Sequence, residues 1–132
     1  MGARGTFFAR AIDNSPKSLG EVFMEMAKHD GTAVVEVLQN CVIFNDKTHQ
    51  EVTNRDIKED RQLWLKQGEP MIFGKDRSKG IVLKGNHLEV VEIGKDGITE
   101  KDLLVHDATR ENTGVHMMLA QMCPPEFPMA FG

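Results

Sequence analysis

The chain has 132 residues, of which 40% are apolar and 27% charged, with a formal net charge of −4 at pH 7. That composition excludes collagen-like, disordered and disulfide-scaffold classes. The acidic balance and scattered Lys and Arg argue against broad contact with nucleic-acid phosphates, and no apolar run approaches the roughly 20 residues that cross a bilayer.

No apolar stretch follows Arg4, so the N-terminus does not read as a secretory signal. The two cysteines, Cys41 and Cys123, lie far apart in sequence. No structural disulfide is expected from them, and a reducing, cytoplasmic setting is the default.

In chain order, Thr6 to Ile12 is a short β-prone run that stops at Asp13-Asn14-Ser15. Ser15 before Pro16 marks a helix start, with a hydroxyl placed to cap free amides and a proline that loses nothing at the first helical position. Leu19, Val22, Phe23, Met26 and Ala27 then recur as one apolar stripe of a helix, which Gly31 ends. Thr32 to Leu38 is nearly continuous in apolar and β-branched residues, as in a parallel strand covered on both faces. Strand, helix and strand make a βαβ unit with a right-handed crossover.

Beyond it, residues 46–62 are polar, with a short helix expected from Asn54 or Asp56 towards Gln67, stopped by Gly68-Glu69-Pro70. Ile81-Val82-Leu83 and Leu88 to Ile93 flank Lys84-Gly85-Asn86-His87, which predicts a tight hairpin. Lys95-Asp96-Gly97 marks a further turn. A last helix is expected over 111–122, with Val115, Met118, Leu119 and Met122 as its buried stripe. The tail, Cys123-Pro124-Pro125-Glu126-Phe127-Pro128, is not helical and is expected to run extended over the surface.

The fold class is therefore α/β: a partial parallel sheet in a βαβ unit over 1–45, then 46–132 with a hairpin, a helix and an extended tail, all read as one segment. Two parallel strands need more sheet beside them to bury their faces. The plan reads as the end of a larger α/β protein.

Cys41 is the informative residue for chemistry. It lies just past the carboxyl end of the second strand, in Leu38-Gln39-Asn40-Cys41-Val42-Ile43-Phe44-Asn45-Asp46, and ligands of open α/β sheets gather at that edge. A thiolate there suits a metal, an iron–sulfur cluster or nucleophilic attack; the competing reading is a small buried apolar side chain. No second cysteine stands near enough to complete a CxxC pair. Cys123 reads as packed or merely exposed. His29, His49, His87, His106 and His116 show no ligand spacing; His106 beside Asp107 reads as an acid–base pair or as a hydrogen-bonded surface turn. Lys75, Arg77 and Lys79 read as a solvated loop rather than an anion site. Met24, Met26, Met117, Met118 and Met122 read as helix core. Nucleotide-loop, nucleophile-elbow and zinc-protease motifs are absent.

The segments "GTFFARAID", "HDGTAVVEVLQNCVIFND", "QGEPMIFG", "KGIVLKGNHLEVVEIG", "DLLVHD" and "PEFP", in that order, resemble the β subunits of 2-oxoacid:ferredoxin oxidoreductases, most closely the 2-oxoglutarate type. The resemblance implies the C-terminal part of a thiamine-diphosphate-binding fold. It also implies an enzyme that oxidatively decarboxylates a 2-oxoacid to an acyl-CoA with thiamine diphosphate, Mg2+ and a [4Fe–4S] cluster. An α subunit, ferredoxin, the 2-oxoacid and coenzyme A are the implied partners. By motif, Cys41 matches the family's fourth cluster cysteine and is the one metal ligand carried over. Asn40, Asn45 and Asp46 flank the cysteine and read either as residues of a segment hydrogen-bonded to the cluster sulfurs or as residues that order their own loop. The CxxC, the third cysteine and the glycine–aspartate motif for magnesium and diphosphate are not in this sequence. The chain alone is thus not expected to be catalytically competent, and a non-enzymatic α/β binding or assembly module derived from that subunit is the alternative.

Overall fold

The computed structural model describes residues 5–132. β1 (Phe7–Ile12), α1 (Pro16–Lys28) and β2 (Ala33–Leu38) form the βαβ unit, with the two strands parallel and in register from Phe7 opposite Ala33 to Ile12 opposite Leu38. The α/β class expected from the sequence is borne out. Proline opens α1, but Ser15 does not cap it: its hydroxyl bonds the Ser18 hydroxyl at 3.0 Å, a competing partner one turn further on.

One face of β1 and β2 packs against α1 through Ala9, Ala11 and Val22, flanked by Phe7, Leu19 and Val35. With alanine at two of those sites the contact is small, and Phe23 and Met24 of α1 stay exposed. β2 was expected to be covered on both faces; instead it pairs with β1 alone, and Val34 and Val37 reach solvent. The physical reason is the missing neighbour, since an apolar strand is covered on both faces only inside a wider sheet.

After β2 come two single helical turns, α2 (Gln50–Thr53) and α3 (Lys58–Arg61), and then β3 (Gln62–Trp64). The helix expected to run on towards Gln67 therefore stops at Arg61. Leu63 is almost fully buried, and pairing of β3 with a later strand outweighs local helix preference. β4 (Ile72–Phe73), β5 (Lys79–Lys84) and β6 (His87–Glu92) form an antiparallel sheet. The predicted hairpin is present, with Lys84 opposite His87 and Gly85 at φ +61°, a conformation that favours glycine.

α4 (Gly114–Gln121) begins three residues later than expected; of the predicted stripe Val115, Leu119 and Met122 are buried, while Met118 is partly buried against them. These residues join Leu63, Met71, Phe73, Ile81, Leu88 and Ala130 in the main core. Met24 and Met117, expected in the core, are exposed. The tail departs most from expectation. Residues 123–128 are non-helical, but Pro128 is fully buried and β7 (Met129–Phe131) re-enters the interior, parallel to β3. The driving force is apolar: Phe131 is 0% exposed, stacked on Trp64 with ring centroids 5.0 Å apart, and clustered with Ile12 and Val52. Arg10 and Gly132 exchange two backbone hydrogen bonds, of 3.1 and 2.9 Å, which link β7 to β1.

Candidate functional site: the Cys41 loop

The loop that leaves the carboxyl end of β2 is braced by its own polar residues. The Asn40 amide nitrogen donates to the Asp13 carboxylate at 3.0 Å, reaching back to the turn after β1. The Asn40 side chain donates to Asp46 Oδ1 at 3.0 Å and accepts from the Lys47 N–H at 2.8 Å. Asn45 N–H closes onto the Cys41 carbonyl at 2.9 Å, and Thr48 Oγ1 donates to the Asn45 carbonyl at 2.7 Å. Of the two readings of Asn40, Asn45 and Asp46, the local one holds: they order the turn.

The brace presents Cys41. Its thiol is exposed, not packed among apolar side chains. Backbone N–H groups of Phe44, Ile43 and Asn45 turned towards the sulfur favour the thiolate and lower the thiol pKa, against a smaller opposing effect of burial. Sequence reasoning named the cysteine but missed these donors, because backbone amides leave no side-chain signature. It also missed the tip: Val42, Ile43 and Phe44 are 74, 82 and 90% exposed. The signal was present as three consecutive apolar residues inside a polar Asx frame.

Other candidates are dispersed. His49 sits at the start of α2 and is half-buried; its carbonyl accepts from the Thr53 hydroxyl at 2.9 Å. His29 bonds Thr6 Oγ1 at 2.7 Å, and His87 lies 2.9 Å from Glu89. The Asp107 carboxylate is bonded by Gln67 at 3.0 Å and by Thr109 through hydroxyl and amide, not by His106, and these donors hold its pKa down at about 2. It is the surface turn, since so acidic a carboxyl makes a poor proton acceptor near neutrality. The His106 ring faces His116 at 6.3 Å; burial first, then the His116 charge, lowers its pKa, with Asp107 opposing. Lys79 pairs with Asp60 at 2.7 Å from within β5, while Lys75 and Arg77 lie in an exposed 3-10 turn, so the three do not converge. Cys123 is exposed.

A four-iron cluster needs about four thiolates. An exposed sulfur faced by amide donors fits one of those corners. Among the described residues no three His, Cys, Asp or Glu side chains converge as a metal site. No helix of the described residues is long and apolar enough to cross a membrane.

No family model matches the chain, and no solved structure does. The chain is 34% identical over 122 residues to the 2-oxoglutarate oxidoreductase subunit KorB of Mycobacterium tuberculosis. That match covers 92% of this chain but spans only about a third of the relative's length, 32%. The resemblance to the β subunit of a 2-oxoglutarate oxidoreductase that the motifs carry is therefore borne out along nearly the whole of this sequence.

Proposed function

We propose that this chain is the C-terminal part of the β subunit of a 2-oxoglutarate:ferredoxin oxidoreductase, and that Cys41 supplies one thiolate ligand of its [4Fe–4S] cluster. The observation that carries the reading is the exposed Cys41 thiol at the carboxyl end of β2, presented by a loop that Asn40 braces through Asp13, Asp46 and Lys47. Similarity to the KorB subunit supports the enzyme class.

In this reading the whole enzyme decarboxylates the 2-oxoacid and passes the acyl group to coenzyme A, and ferredoxin takes the electrons. Thiamine diphosphate with Mg2+, held by other parts of the enzyme, supplies the carbanion chemistry when bound. The chain's own contribution is positional. Asn40 and Asp46 fix the loop, the amides of Ile43, Phe44 and Asn45 favour the anionic sulfur, and Cys41 offers it to the metal. The one-segment organisation, with the βαβ unit followed by hairpin, helix and returning tail, belongs to the same proposal, as do the α-subunit partner and a cytoplasmic setting.

The test is iron content of the complete subunit, assembled with its partner and purified without oxygen. Cys41→Ala is expected to lower iron per subunit and bleach the brown absorption of the cluster. Unchanged iron in that variant refutes the ligand assignment.

A further inference from the structure

His106 carries a polar atom without a partner. Its Nδ1 is buried, and among the described residues no hydrogen-bonding group reaches it. The backbone at His106 is tied on both sides: its N–H donates to the Glu69 carbonyl at 3.0 Å, and its carbonyl accepts from the Gly68 N–H at 2.9 Å. Across from the ring, with 6.3 Å between ring centroids, lies His116 in the first turn of α4. His116 reaches back to the same segment through Nε2, 2.9 Å from the Asp107 carbonyl. A carbonyl only accepts, so His116 carries a proton on Nε2.

A neutral imidazole suits this arrangement. It keeps one nitrogen bare, and in His106 that nitrogen is Nδ1 when the proton sits on Nε2. A protonated ring bears N–H on both nitrogens. Nδ1 then becomes a buried, charged donor with nothing to accept it, which is costly. The surroundings do not offset that cost. α4 brings no other titratable side chain than His116, and Lys66 and Glu69 of the 66–70 turn are exposed. Arg110 acts on Asp107, and the Asp107 carboxylate is engaged by Gln67 and Thr109 rather than by the ring.

Burial, and then the His116 charge, lower the His106 pKa from its ordinary 6.5, with Asp107 opposing. A ring that has swung free takes up a proton more readily than the closed one. The closed form is therefore fully favoured above pH 6.5 and loses ground as the pH falls below it. Asp107, with its pKa at about 2, keeps its charge and its bonds through that window. Acid thus acts on the rings and spares the turn beside them.

We infer that His106 and His116 form a pH-sensitive latch: with both rings neutral it holds the first turn of α4 against residues 105–107, and protonation opens it.

The experiment follows amide hydrogen exchange by mass spectrometry in the full-length protein, together with any subunit that co-purifies with it. Exchange is corrected for its intrinsic pH dependence and compared between about pH 7.5 and about pH 5, the range in which imidazole titrates. Peptides from the β5–β6 hairpin are the internal reference. In wild type, protection over 105–117 is expected to fall several-fold on acidification while the hairpin stays level. His106→Phe, which keeps a ring without a titrating nitrogen, and His106→Gln, which is polar and uncharged, are each expected to abolish the fall. His116→Gln retains a donor for the Asp107 carbonyl but no charge, and is expected to make the fall shallower. Wild-type protection that follows the hairpin at both pH values overturns the latch. A fall that persists in both His106 variants overturns it as well, because another group is then titrating. An undiminished fall in His116→Gln removes His116 from it and overturns the paired mechanism.

Discussion

Asp107 shows how a single side chain is committed to one role. Three donors from Gln67 and Thr109 bond its carboxylate and hold its pKa at about 2, below the ordinary 3.8. A depressed carboxylate pKa contributes stability above the unfolded value and loses it as pH falls towards the folded one. The urea midpoint is therefore expected to drop between pH 3.8 and about 2, with a flatter profile in Asp107→Asn; identical profiles contradict the account. The sequence left this residue between an acid–base partner and a turn, since neighbouring positions do not say which atoms meet. Cys41 was legible by type and place, but the amides that face it belong to the backbone and are silent in the sequence.

At the scale of elements, βαβ and hairpin were legible because each rests on local signals: Pro16 and the helical stripe for α1, and Gly85-Asn86 between apolar runs for β5 and β6. β3 and β7 were not. Gln62–Trp64 and Met129–Phe131 are three residues each, too short for a periodic pattern, and each is a strand only because the other is its partner. β7 nevertheless carries much of the packing. Phe131→Ala is expected to cost about 3–5 kcal/mol, the usual range for deleting a buried aromatic ring. Urea unfolding followed by Trp64 fluorescence checks it, because Trp64 is the one tryptophan and stacks on that ring. A loss under about 1 kcal/mol means that the site collapses without cost.

At the scale of the whole molecule, packing is uneven. The main core gathers Leu63, Phe73, Ile81, Leu88, Leu119 and Ala130, whereas the cluster between α1 and its two strands buries only Ala9, Ala11 and Val22, and Ile12 packs instead with Val52 and Phe131. β2 leaves an unpaired strand edge with Val34 exposed, and such edges template association. Val34→Lys is expected to suppress self-association of the 132-residue chain, seen as lower light scattering at unchanged circular dichroism; equal scattering shows that the edge is not the sticky surface. The sequence hinted at this through a strand too apolar for the cover that one helix gives. β7 carries a further consequence, in time rather than in space. Ile12 and Val52 are covered by Phe131, so both emerge from the ribosome long before their lid is synthesised. Until then the nascent chain carries bare hydrocarbon at these two positions, and chaperones have that interval in which to bind it.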